Sequence, residues 1–421
     1  MEIQFNNDVY ELISILEFNG FKAYIVGGAI RNYFLNLDIV DYDVTTNATY
    51  DELKDIFRNN KYSIYNNNQC FNVKINNTRI EISPFKGDNI LLDLSNRDFT
   101  INAIAYNKKE GFIDPYNGIN DIKNKIIKSV NSNLECFKYD PNRILRAIRF
   151  EIIYDLKMDE SLYKDIIKYS YMVNEIHPMK IKKEIEPILL SNKPSLYVYK
   201  YKEIFFELFP ELKKCYNFNQ MSVWHHLDVF NHTLTVMDHT KPILVNRLIA
   251  LFHDIKKPEC FYIKNDHGHF TFHPIKSAIY AKEILSKYSF GNDIINKVYK
   301  VIYFHDERLE SDKAIIKFIA EFGYDDLDLF FEIQKADIYG QNPDLLYRLE
   351  EYDKTINRVN ELIKENKTLT YKELNISLSD LEKLNINNPK KILFNVLLAV
   401  IDKKLNNNRK ELLTFVKKFE N

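Results

Sequence analysis

The segment Tyr24-Ile-Val-Gly-Gly-Ala-Ile-Arg31 predicts a strand that turns through two glycines into a helix. Glycine carries no side chain, so backbone at such a turn can approach a phosphate near the start of the helix. Downstream, Asp41-Tyr-Asp43-Val44 predicts a second strand, on which period-2 alternation places both aspartates on one face. Glu81 offers a third carboxylate on what we expect to be a neighbouring strand. These segments predict a mixed α+β fold at the N-terminus.

Three carboxylates in one cluster repel one another, and a bound divalent cation relieves that repulsion. Magnesium prefers oxygen ligands of this kind and polarises the phosphates of a nucleotide. The combination indicates nucleotidyl transfer. Paired aspartates are more often the solvent-facing side of an edge strand, so their functional interpretation depends on the segments that follow them.

Two further segments place cations beside acids near the start of predicted helices. Arg97-Asp98-Phe-Thr-Ile-Asn102 packs an arginine, an acid and an amide into a strand-to-helix junction, where they can hold a ribose and a triphosphate. Asp140-Pro-Asn-Arg143-Ile-Leu-Arg146 places an aspartate at the expected N-cap, a proline at the first helical position and arginines along the helix. Taken singly, each segment is also explained by an ordinary capped helix.

The composition excludes a fibrous or disordered chain. With 421 residues and 45% hydrophobic content, we expect two to four domains. The 58 basic and 59 acidic residues nearly cancel, so net charge gives no evidence for nucleic-acid binding. The N-terminus lacks the basic run of a signal peptide, and no apolar stretch reaches the roughly 20 residues that span a bilayer, which predicts a cytoplasmic protein without a membrane segment. The four cysteines are too widely spaced for a disulfide framework or a thiolate zinc site.

The pattern of short β runs divides the chain into a head and a helical remainder. Up to about residue 130, β runs alternate with helical stretches such as Thr49 to Asn59, and from about residue 135 apolar residues recur at helical spacing. Turn-forming breaks predict a head over 1–130, a helical neck and body over 131–215, a third domain over 216–345 and a helical tail over 346–421. The predicted fold class is therefore α+β, with a mixed sheet followed by helices.

The order and spacing of these segments resemble the class II tRNA nucleotidyltransferases, which comprise the bacterial CCA-adding enzymes and their poly(A) polymerase relatives. The matching elements are GGxxR, DxD, RDFTxNA, the DPxxGxxDI element that begins at Asp114 and the DxxR element that begins at Asp140. The resemblance implies a polymerase β-like head that uses CTP and ATP to add C, C and A to the 3′ end of tRNA without a template, releasing pyrophosphate. It also implies that Asp41 and Asp43 bind catalytic Mg²⁺, with Glu81 expected as a third catalytic acid.

The same resemblance assigns roles in nucleotide binding. Arg97 and Asp98 correspond to the pair that serves the ribose and phosphates. Asp140 and Arg143 fall where the family reads the base of CTP or ATP, and an Asp acceptor with an Arg donor fork can mimic a partner base. The nucleotide-binding residues expected in this way are Gly27, Gly28, Arg31, Arg97, Asp98, Asn102, Asp140, Arg143 and Arg146.

Three positions depart from the family pattern, and each neutralises one charge. Asn32 stands where an aspartate is usual, Asn96 where an arginine is usual and Tyr139 where a glutamate is usual. Because the metal carboxylates and the Asp/Arg base reader remain, we expect weaker nucleotide or primer affinity rather than an inactive head.

Histidines cluster in the helical part of the chain. All ten lie beyond residue 176, and most fall between His225 and His305. Their spacing resembles the His-Asp (HD) phosphohydrolases, in which a His, an adjacent His-Asp pair and a final Asp bind a divalent metal. Imidazole and carboxylate together suit a transition metal, and metal-bound water becomes a nucleophile near neutral pH. The implied HD-site residues are His232, His253, Asp254 and Asp337, with His273 and His305 at a second metal or at the phosphate.

A single buried histidine is more often a core residue than a ligand, and only the combined spacing favours a site. Lys256 departs from the HD pattern, where glycine is usual, and its ammonium can either attract a phosphate or block it. In the nucleotidyltransferase family this domain is a working phosphatase or phosphodiesterase in some members and a scaffold in others. Its activity here stays open.

The last region resembles, more weakly, the tail of longer CCA-adding enzymes. Asn388 and Pro389 predict the start of a helix with an apolar stripe. Lysines near the ends of that helix can contact the backbone of a folded tRNA or simply face solvent.

Several functions remain open on the sequence alone. The same head suits a poly(A) polymerase, or a partial enzyme that adds only the cytidines or only the adenosine. The chain can also act chiefly as a metal-dependent phosphohydrolase with a degenerate head. A non-catalytic RNA-binding protein is disfavoured, because both the carboxylate and the histidine constellations are retained. The oligomeric state cannot be read from the sequence.

Overall fold

The computed structural model describes residues 5–58, 62–65, 70–76 and 78–419. The chain divides into two compact units, residues 1–188 and 189–421. The finer domain boundaries expected near residues 130, 215 and 345 stay predictions.

The first unit is built on one mixed sheet. Its strands, together with a short β8–β9 pair outside the sheet, are β1 (Ala23–Val26), β2 (Tyr42–Thr46), β3 (Tyr62–Tyr65), β4 (Cys70–Ile75), β5 (Thr78–Pro84), β6 (Ala105–Asn107), β7 (Gly111–Ile113), β8 (Ile126–Ile127) and β9 (Lys157–Met158). The spatial order is β3-β4-β5-β2-β1-β6-β7. Strand β2 lies at the centre, antiparallel to β1 and parallel to β5, so residues on β2 and β5 share one sheet face in register.

Helices cover the sheet and extend the first unit. They are α1 (Asn7–Phe18), α2 (Gly28–Phe34), α3 (Tyr50–Ile56), α4 (Ile90–Ser95), α5 (Gly118–Lys123), α6 (Asn133–Tyr139), α7 (Asn142–Ile153), α8 (Glu160–Lys168) and α9 (Pro178–Leu189). Helix α3 begins with a capping box between Thr49 and Glu52. Helix α7 buries Ile144, Leu145 and Ile148, and each such side chain contributes roughly 1.5–3 kcal/mol of hydrophobic stabilisation.

The second unit consists mainly of packed helices. They are α10 (Pro194–Lys200), α11 (Lys202–Leu208), α12 (Pro210–Cys215), α13 (Val229–Asp238), α14 (Leu244–Phe252), α15 (Lys257–Cys260), α16 (His273–Lys287), α17 (Asn292–Phe304), α18 (Asp312–Phe322), α19 (Leu327–Gly340), α20 (Arg348–Glu365), α21 (Leu378–Lys383), α22 (Pro389–Ile401) and α23 (Arg409–Val416). A hairpin of β10 (Tyr262–Lys264) and β11 (His267–His269) joins α15 to α16. Helix α13 packs against α14 and α19, and α17 packs against α14 and α16.

The predicted α+β fold class is confirmed, with a mixed-sheet head followed by helices. The helix expected from Thr49 to Asn59 is present but ends at Ile56, and Asn59 lies outside the described residues. The tail helix begins at Pro389 as predicted. Of the expected apolar stripe it buries Ile392, Leu393, Val396 and Leu397, whereas Val400 and Ile401 are half-buried. Among the helices of the described ranges, none is both long and apolar enough to cross a membrane.

Candidate active site and candidate metal centre

The turn between β1 and α2 brings together backbone, a cation and an acid. Gly27 follows β1 with a φ of +68°, a conformation that favours glycine, and Gly28 is the first residue of α2. A Cβ atom at Gly27 would lie 3.2 Å from Arg97 Nη1 and 3.6 Å from Asp43 Oδ2. The bare backbone therefore faces both side chains, which is the arrangement that a phosphate with a bound cation requires.

The three predicted carboxylates lie on or beside the two central parallel strands. Asp43 on β2 pairs in register with Glu81 on β5, and Asp41 directly precedes β2. Burial raises the pKa of Asp43 to about 6, the charges of Glu81 and Asp41 add to that effect, and Arg97 opposes it. The oxygens of these three acids, all of them described residues, do not all lie within 4.8 Å of one another. The all-oxygen set suits a hard cation such as Mg²⁺, which would relieve the repulsion at Asp43.

Asp93 orients Arg97 toward the glycine turn. Its Oδ2 atom accepts hydrogen bonds from Arg97 Nε at 3.2 Å and from Nη2 at 3.0 Å, which leaves Nη1 facing Gly27. The buried carboxylate also accepts the Lys86 backbone N–H at 3.0 Å. Sequence reasoning missed Asp93, although its spacing four residues before Arg97 is typical of a helical ion pair.

Asp98 is tied to Arg146 and Asn102. Arg146 donates from Nε at 2.9 Å and from Nη2 at 2.7 Å to Asp98 Oδ2, while Asn102 donates at 2.9 Å to Oδ1. Burial alone would raise the pKa of Asp98, but the Arg146 charge and these hydrogen bonds hold it at about 2. The structure thus brings together three of the predicted nucleotide-binding residues, and they bind one another.

Arg31 lies in the interior rather than facing solvent. Its guanidinium donates to Asn102 Oδ1 at 2.7 Å, to Tyr154 Oη at 2.6 Å and to Asn32 Oδ1 at 2.9 Å. It also lies 4.0 Å from the centre of the Tyr154 ring, a cation–π contact. Asn32, where the family has an aspartate, thus serves as one of its acceptors. The hydrogen-bonding groups that Arg31 contacts belong to the protein, and its link to the other expected nucleotide-binding residues is the hydrogen bond to Asn102.

Asp140 and Arg143 stand at the junction of α6 and α7. Arg143 donates to the backbone carbonyl of Asn96 at 2.6 Å and to that of Arg97 at 3.3 Å, and Lys180 Nζ lies 3.6 Å from Asp140 Oδ2. The Asn96 amide donates to the backbone carbonyls of Lys86, before α4, and of Leu92, within α4, so the residue that departs from the family pattern makes local hydrogen bonds. A cavity of about 320 Å³ is lined by Asn96, Asn131, Glu135, Cys136, Tyr139 and Arg143.

The second unit brings all six predicted HD-site residues to one place. His232 is on α13, His253 and Asp254 follow α14, His273 begins α16, His305 follows α17, and Asp337 is on α19. The four imidazoles and the Asp254 carboxylate are buried. Two overlapping groups have ligand atoms that all lie within 4.8 Å of one another: His232, His253, Asp254 and Asp337, and Asp254, His273 and His305.

Each of the four imidazoles is oriented by a backbone carbonyl. The Nδ1 atoms lie 2.7–2.8 Å from the carbonyl oxygens of Gly340, Ala250, Phe270 and Ile302, in the order of the histidines along the chain. Because a carbonyl only accepts, each Nδ1 carries the proton and each Nε2 points into the site. A Cβ at Gly340 would lie 2.6 Å from His232 Nδ1, so glycine allows α19 to end against that ring.

Asp254 bridges the two groups. Its Oδ2 lies 3.2 Å from His253 Nε2 and 3.3 Å from His232 Nε2, while its Oδ1 lies 3.2 Å from His273 Nε2 and 3.4 Å from His305 Nε2. Asp337 closes the first group, with Oδ1 at 3.0 Å from His232 Nε2. Such a mixture of imidazole and carboxylate donors, with one shared acid, fits a pair of divalent transition-metal ions.

The charges of the site compensate for its burial. Burial disfavours a charged imidazole, yet Asp254 and Asp337 raise the pKa of His253 to about 10. Burial likewise opposes ionisation of Asp254, but His253 and Lys257 hold its pKa well below the usual value. The two acids thus favour positive charge at this site, whether a proton or a metal cation supplies it.

Residues that sequence reasoning missed surround the histidine site. Lys257 places Nζ 2.6 Å from Asp254 Oδ2, His225 stacks edge-on against His232, and Gln341 donates to Asp337. Lys256 instead binds Glu259 at 2.8 Å and Glu211 at 3.3 Å, so these acids engage its ammonium.

Comparison with known proteins places the head in a family. Residues 23–91 and 87–128 match the poly(A) polymerase head domain. A CC-adding tRNA nucleotidyltransferase of Shouchella clausii is 33% identical over 182 residues, which is 43% of this chain and 47% of that protein. A CCA-adding enzyme of Staphylococcus aureus is 27% identical over 260 residues, with 57% of this chain and 60% of that protein covered. The chain thus spans about half the length of the curated relatives it matches.

Solved structures extend the likeness to both units. The Bacillus stearothermophilus CCA-adding enzyme in complex with CTP has a TM-score of 0.63 at 19% identity, covering 98% of this chain and 96% of that chain. The Thermotoga maritima CCA-adding enzyme complexed with tRNA has a TM-score of 0.60 at 18% identity, covering 99% and 97%. At this identity the likeness establishes a shared fold.

Proposed function

We propose that this chain is a class II tRNA nucleotidyltransferase, which adds C, C and A from CTP and ATP to the 3′ end of tRNA and releases pyrophosphate; the match of its head to the poly(A) polymerase head domain and its likeness to CC- and CCA-adding relatives support this. The observation that carries this proposal is the convergence of Gly27, Arg97 and Asp43 at the end of β1, within the segment that matches the head domain. Action on tRNA agrees with the cytoplasmic location expected from the sequence, which stays a prediction.

In this proposal Asp43 and Asp41 hold Mg²⁺, with Glu81 as the third acid. When bound, the metal polarises the α-phosphate that the RNA 3′ hydroxyl attacks and stabilises charge on the departing pyrophosphate. Arg97, fixed by Asp93, offers its free Nη1 to the phosphates beside Gly27. Catalysis of phosphoryl transfer rests mainly on such positioning and charge stabilisation.

The remaining residues of the set position the nucleotide. Asp98, Asn102 and Arg146 form one hydrogen-bonded group, and Asp140 with Arg143 presents an acceptor and a donor fork to the base. We assign tRNA binding to the helical neck over 131–215 and the tail over 346–421, following the boundaries expected from the sequence.

The test uses a tRNA transcript that lacks its terminal CCA, with Mg²⁺ and with CTP and ATP supplied separately and together. Products are resolved at single-nucleotide length. Two nucleotides from CTP alone and three from both substrates support the proposal. A long ladder from ATP identifies a poly(A) polymerase instead, and no extension under any condition contradicts the proposed activity.

A partial enzyme is a specific alternative, because the Shouchella clausii relative is named a CC-adding enzyme. The same assay separates the two functions. Addition of two cytidines and no third nucleotide to the transcript that lacks CCA, with ATP present, together with no addition to a transcript that already ends in CC, identifies a CC-adding enzyme.

A second activity is supported by the histidine site of the second unit. Four oriented imidazoles and two acids fit divalent transition metals, which when bound supply Lewis acidity toward a phosphate ester. We propose a metal-dependent phosphohydrolase activity there. Hydrolysis of bis(p-nitrophenyl) phosphate and p-nitrophenyl phosphate with Mn²⁺, Ni²⁺ or Zn²⁺ tests it. Turnover by the parent protein that His253→Ala abolishes supports the proposal, and equal turnover by both proteins contradicts it.

A further inference from the structure

Asp337 is the one of the six HD-site residues that is only half-buried, since its side chain is 23% exposed. Its Oδ1 atom faces His232 Nε2 at 3.0 Å and His253 Nε2 at 3.6 Å. Its Oδ2 atom accepts a hydrogen bond from Gln341 Nε2 at 2.6 Å. Gln341 thus binds one carboxylate oxygen of Asp337 while the other faces the two imidazoles.

The Gln341 amide has only one orientation that satisfies its neighbours. Arg348 Nη1 donates to Gln341 Oε1. Because arginine only donates and an ionised carboxylate only accepts, the amide must present its oxygen to Arg348 and its nitrogen to Asp337. The amide is also buried, which adds to the cost of leaving either side unpaired.

Arg348 connects this amide to the surface. Its guanidinium carbon lies 5.2 Å from the centre of the Trp224 ring, and the Trp224 carbonyl accepts the Asn342 backbone N–H at 2.8 Å. The Trp224 side chain is 43% exposed. A continuous chain of contacts therefore runs from Trp224 through Arg348 and Gln341 to Asp337.

We propose that Gln341 is a positioning residue for the metal site and that Arg348 couples occupancy of that site to Trp224. When Asp337 shares its charge with a metal, the Gln341 hydrogen bond and the Arg348 contact that orients it readjust, which changes the surroundings of the indole. This inference rests on the proposed phosphohydrolase site. It concerns affinity and coupling, and both can be measured without turnover.

The single tryptophan of the chain makes the coupling observable, because all indole emission comes from Trp224. The metal-stripped full-length protein is titrated with Zn²⁺, which does not quench indole emission paramagnetically. Calorimetry gives the dissociation constant, and fluorescence reports the indole. We expect Zn²⁺ binding to change the Trp224 emission. In Gln341→Leu we expect the dissociation constant for Zn²⁺ to be about 10- to 100-fold larger, the range typical when a residue that orients a metal ligand is removed.

Matched variants separate orientation from folding. Gln341→Asn is one methylene shorter and cannot reach both partners, so it should weaken Zn²⁺ binding even if Gln341→Leu fails to fold. Arg348→Lys keeps a donor for Gln341 but loses the planar stacking cation, so affinity should stay near that of the parent while the fluorescence change shrinks. Arg358→Met alters the same helix α20 at a residue that pairs with Asp312, and should change neither readout.

The outcomes distinguish this inference from the proposed activity. Parental Zn²⁺ affinity in both folded Gln341 variants would overturn the positioning role, while the metal site itself would stand. An unchanged fluorescence response in Arg348→Lys would overturn the coupling. If the parent protein binds neither Zn²⁺ nor Mn²⁺, the proposed phosphohydrolase site fails, and the inference fails with it.

Discussion

The Nε2 atoms of His232 and His253 lie 3.3 Å apart in the interior of the second unit. Both rings carry their Nδ1 proton toward a backbone carbonyl, so two neutral imidazoles would point lone pairs at each other. Only a proton or a shared cation relieves that contact. The acids Asp254 and Asp337 beside the same atoms supply charge that favours either one.

We expect metal to stabilise the second unit through this contact. A ligand at 100 times its dissociation constant stabilises the folded state by about 2.7 kcal/mol, so Zn²⁺ or Mn²⁺ should raise the Tm of the stripped protein and a chelator should lower it. Differential scanning calorimetry measures the shift. His253→Ala should lose the response, whereas His239→Ala, which removes an exposed imidazole stacked on Tyr339, should retain it. A metal response in His253→Ala equal to that of the parent would contradict the assignment.

The carboxylates of the head should matter for chemistry rather than for stability. Asp43→Asn and Asp41→Asn each remove a charge that would hold Mg²⁺, and we expect nucleotide incorporation into tRNA to fall at least about 100-fold. The Tm should stay level or rise for Asp43→Asn, because Asp43 is desolvated beside Glu81. Asp38→Asn, at an exposed acid in the same connection, serves as the control. Full incorporation by both Asp41 and Asp43 variants would rule out their role.

The ion pair between Asp98 and Arg146 should make stability depend on pH at acidic values. The pKa of Asp98 is lowered from 3.8 to about 2 in the folded state, so the pair stabilises the protein fully above about pH 5 and loses that contribution as the pH falls through 4 toward 2. The shift corresponds to about 2 kcal/mol at neutral pH. Urea unfolding of the parent and of Asp98→Asn between pH 3 and 7 measures it.

The difference between these two proteins should narrow as the pH falls. Asp155→Asn is the matched control, because Asp155 pairs with Lys125 in an exposed position and should contribute little at any pH. A difference between parent and Asp98→Asn that stays constant from pH 7 to pH 3 would show that the carboxylate charge is not its source.

We expect Arg31 to contribute to the stability of the first unit rather than to contact the nucleotide. Arg31→Lys keeps the charge but loses the planar fork that reaches both Asn102 and Tyr154, and we expect the first unit to lose about 2 kcal/mol of stability. A thermal melt measures the loss, with the exposed Arg58→Lys as control. A variant with parental Tm and a raised KM for CTP would instead indicate that Arg31 contacts the nucleotide directly.

The features that the sequence predicted are those that depend on local patterning. The strand, glycine turn and helix around Gly27 follow from alternation and from turn chemistry, and the tail helix follows from Pro389 and its apolar period. The histidine cluster was predicted by resemblance to a known spacing. Its residues come from several helices, so no single segment carries the site.

The hydrogen-bond partners of the site residues could not be predicted, because they depend on contacts between distant parts of the sequence. Arg31 binds Tyr154, which is 123 positions away in the sequence. Arg143 binds backbone carbonyls, and because every residue has one, the sequence does not indicate which of them is the partner. The carbonyls that orient the imidazoles depend on where each helix ends, a boundary that pattern analysis places only to within about 2–4 residues. Asp93 is the exception, because its position four residues before Arg97 is typical of a helical ion pair and is a local signal of the contact.

Gly27 gives a test in which backbone strain and site geometry can be separated. At a φ of +68° an alanine is strained, and its Cβ would also lie 3.2 Å from Arg97 Nη1 and 3.6 Å from Asp43 Oδ2. We expect Gly27→Ala to cost about 1–3 kcal/mol of stability and to lower incorporation of CMP into tRNA, since Arg97 must move away from the phosphate position. Gly20→Ala is the matched control, because Gly20 has a φ of +87° with nothing within 4 Å of the added Cβ. Both variants should lower the Tm by similar amounts, measured by thermal melts, whereas only Gly27→Ala should raise the KM for CTP in the primer-extension assay. Equal effects of the two substitutions on the KM for CTP would show that the glycine turn contributes only to folding, and that the nucleotide does not bind where Arg97 and Asp43 face Gly27.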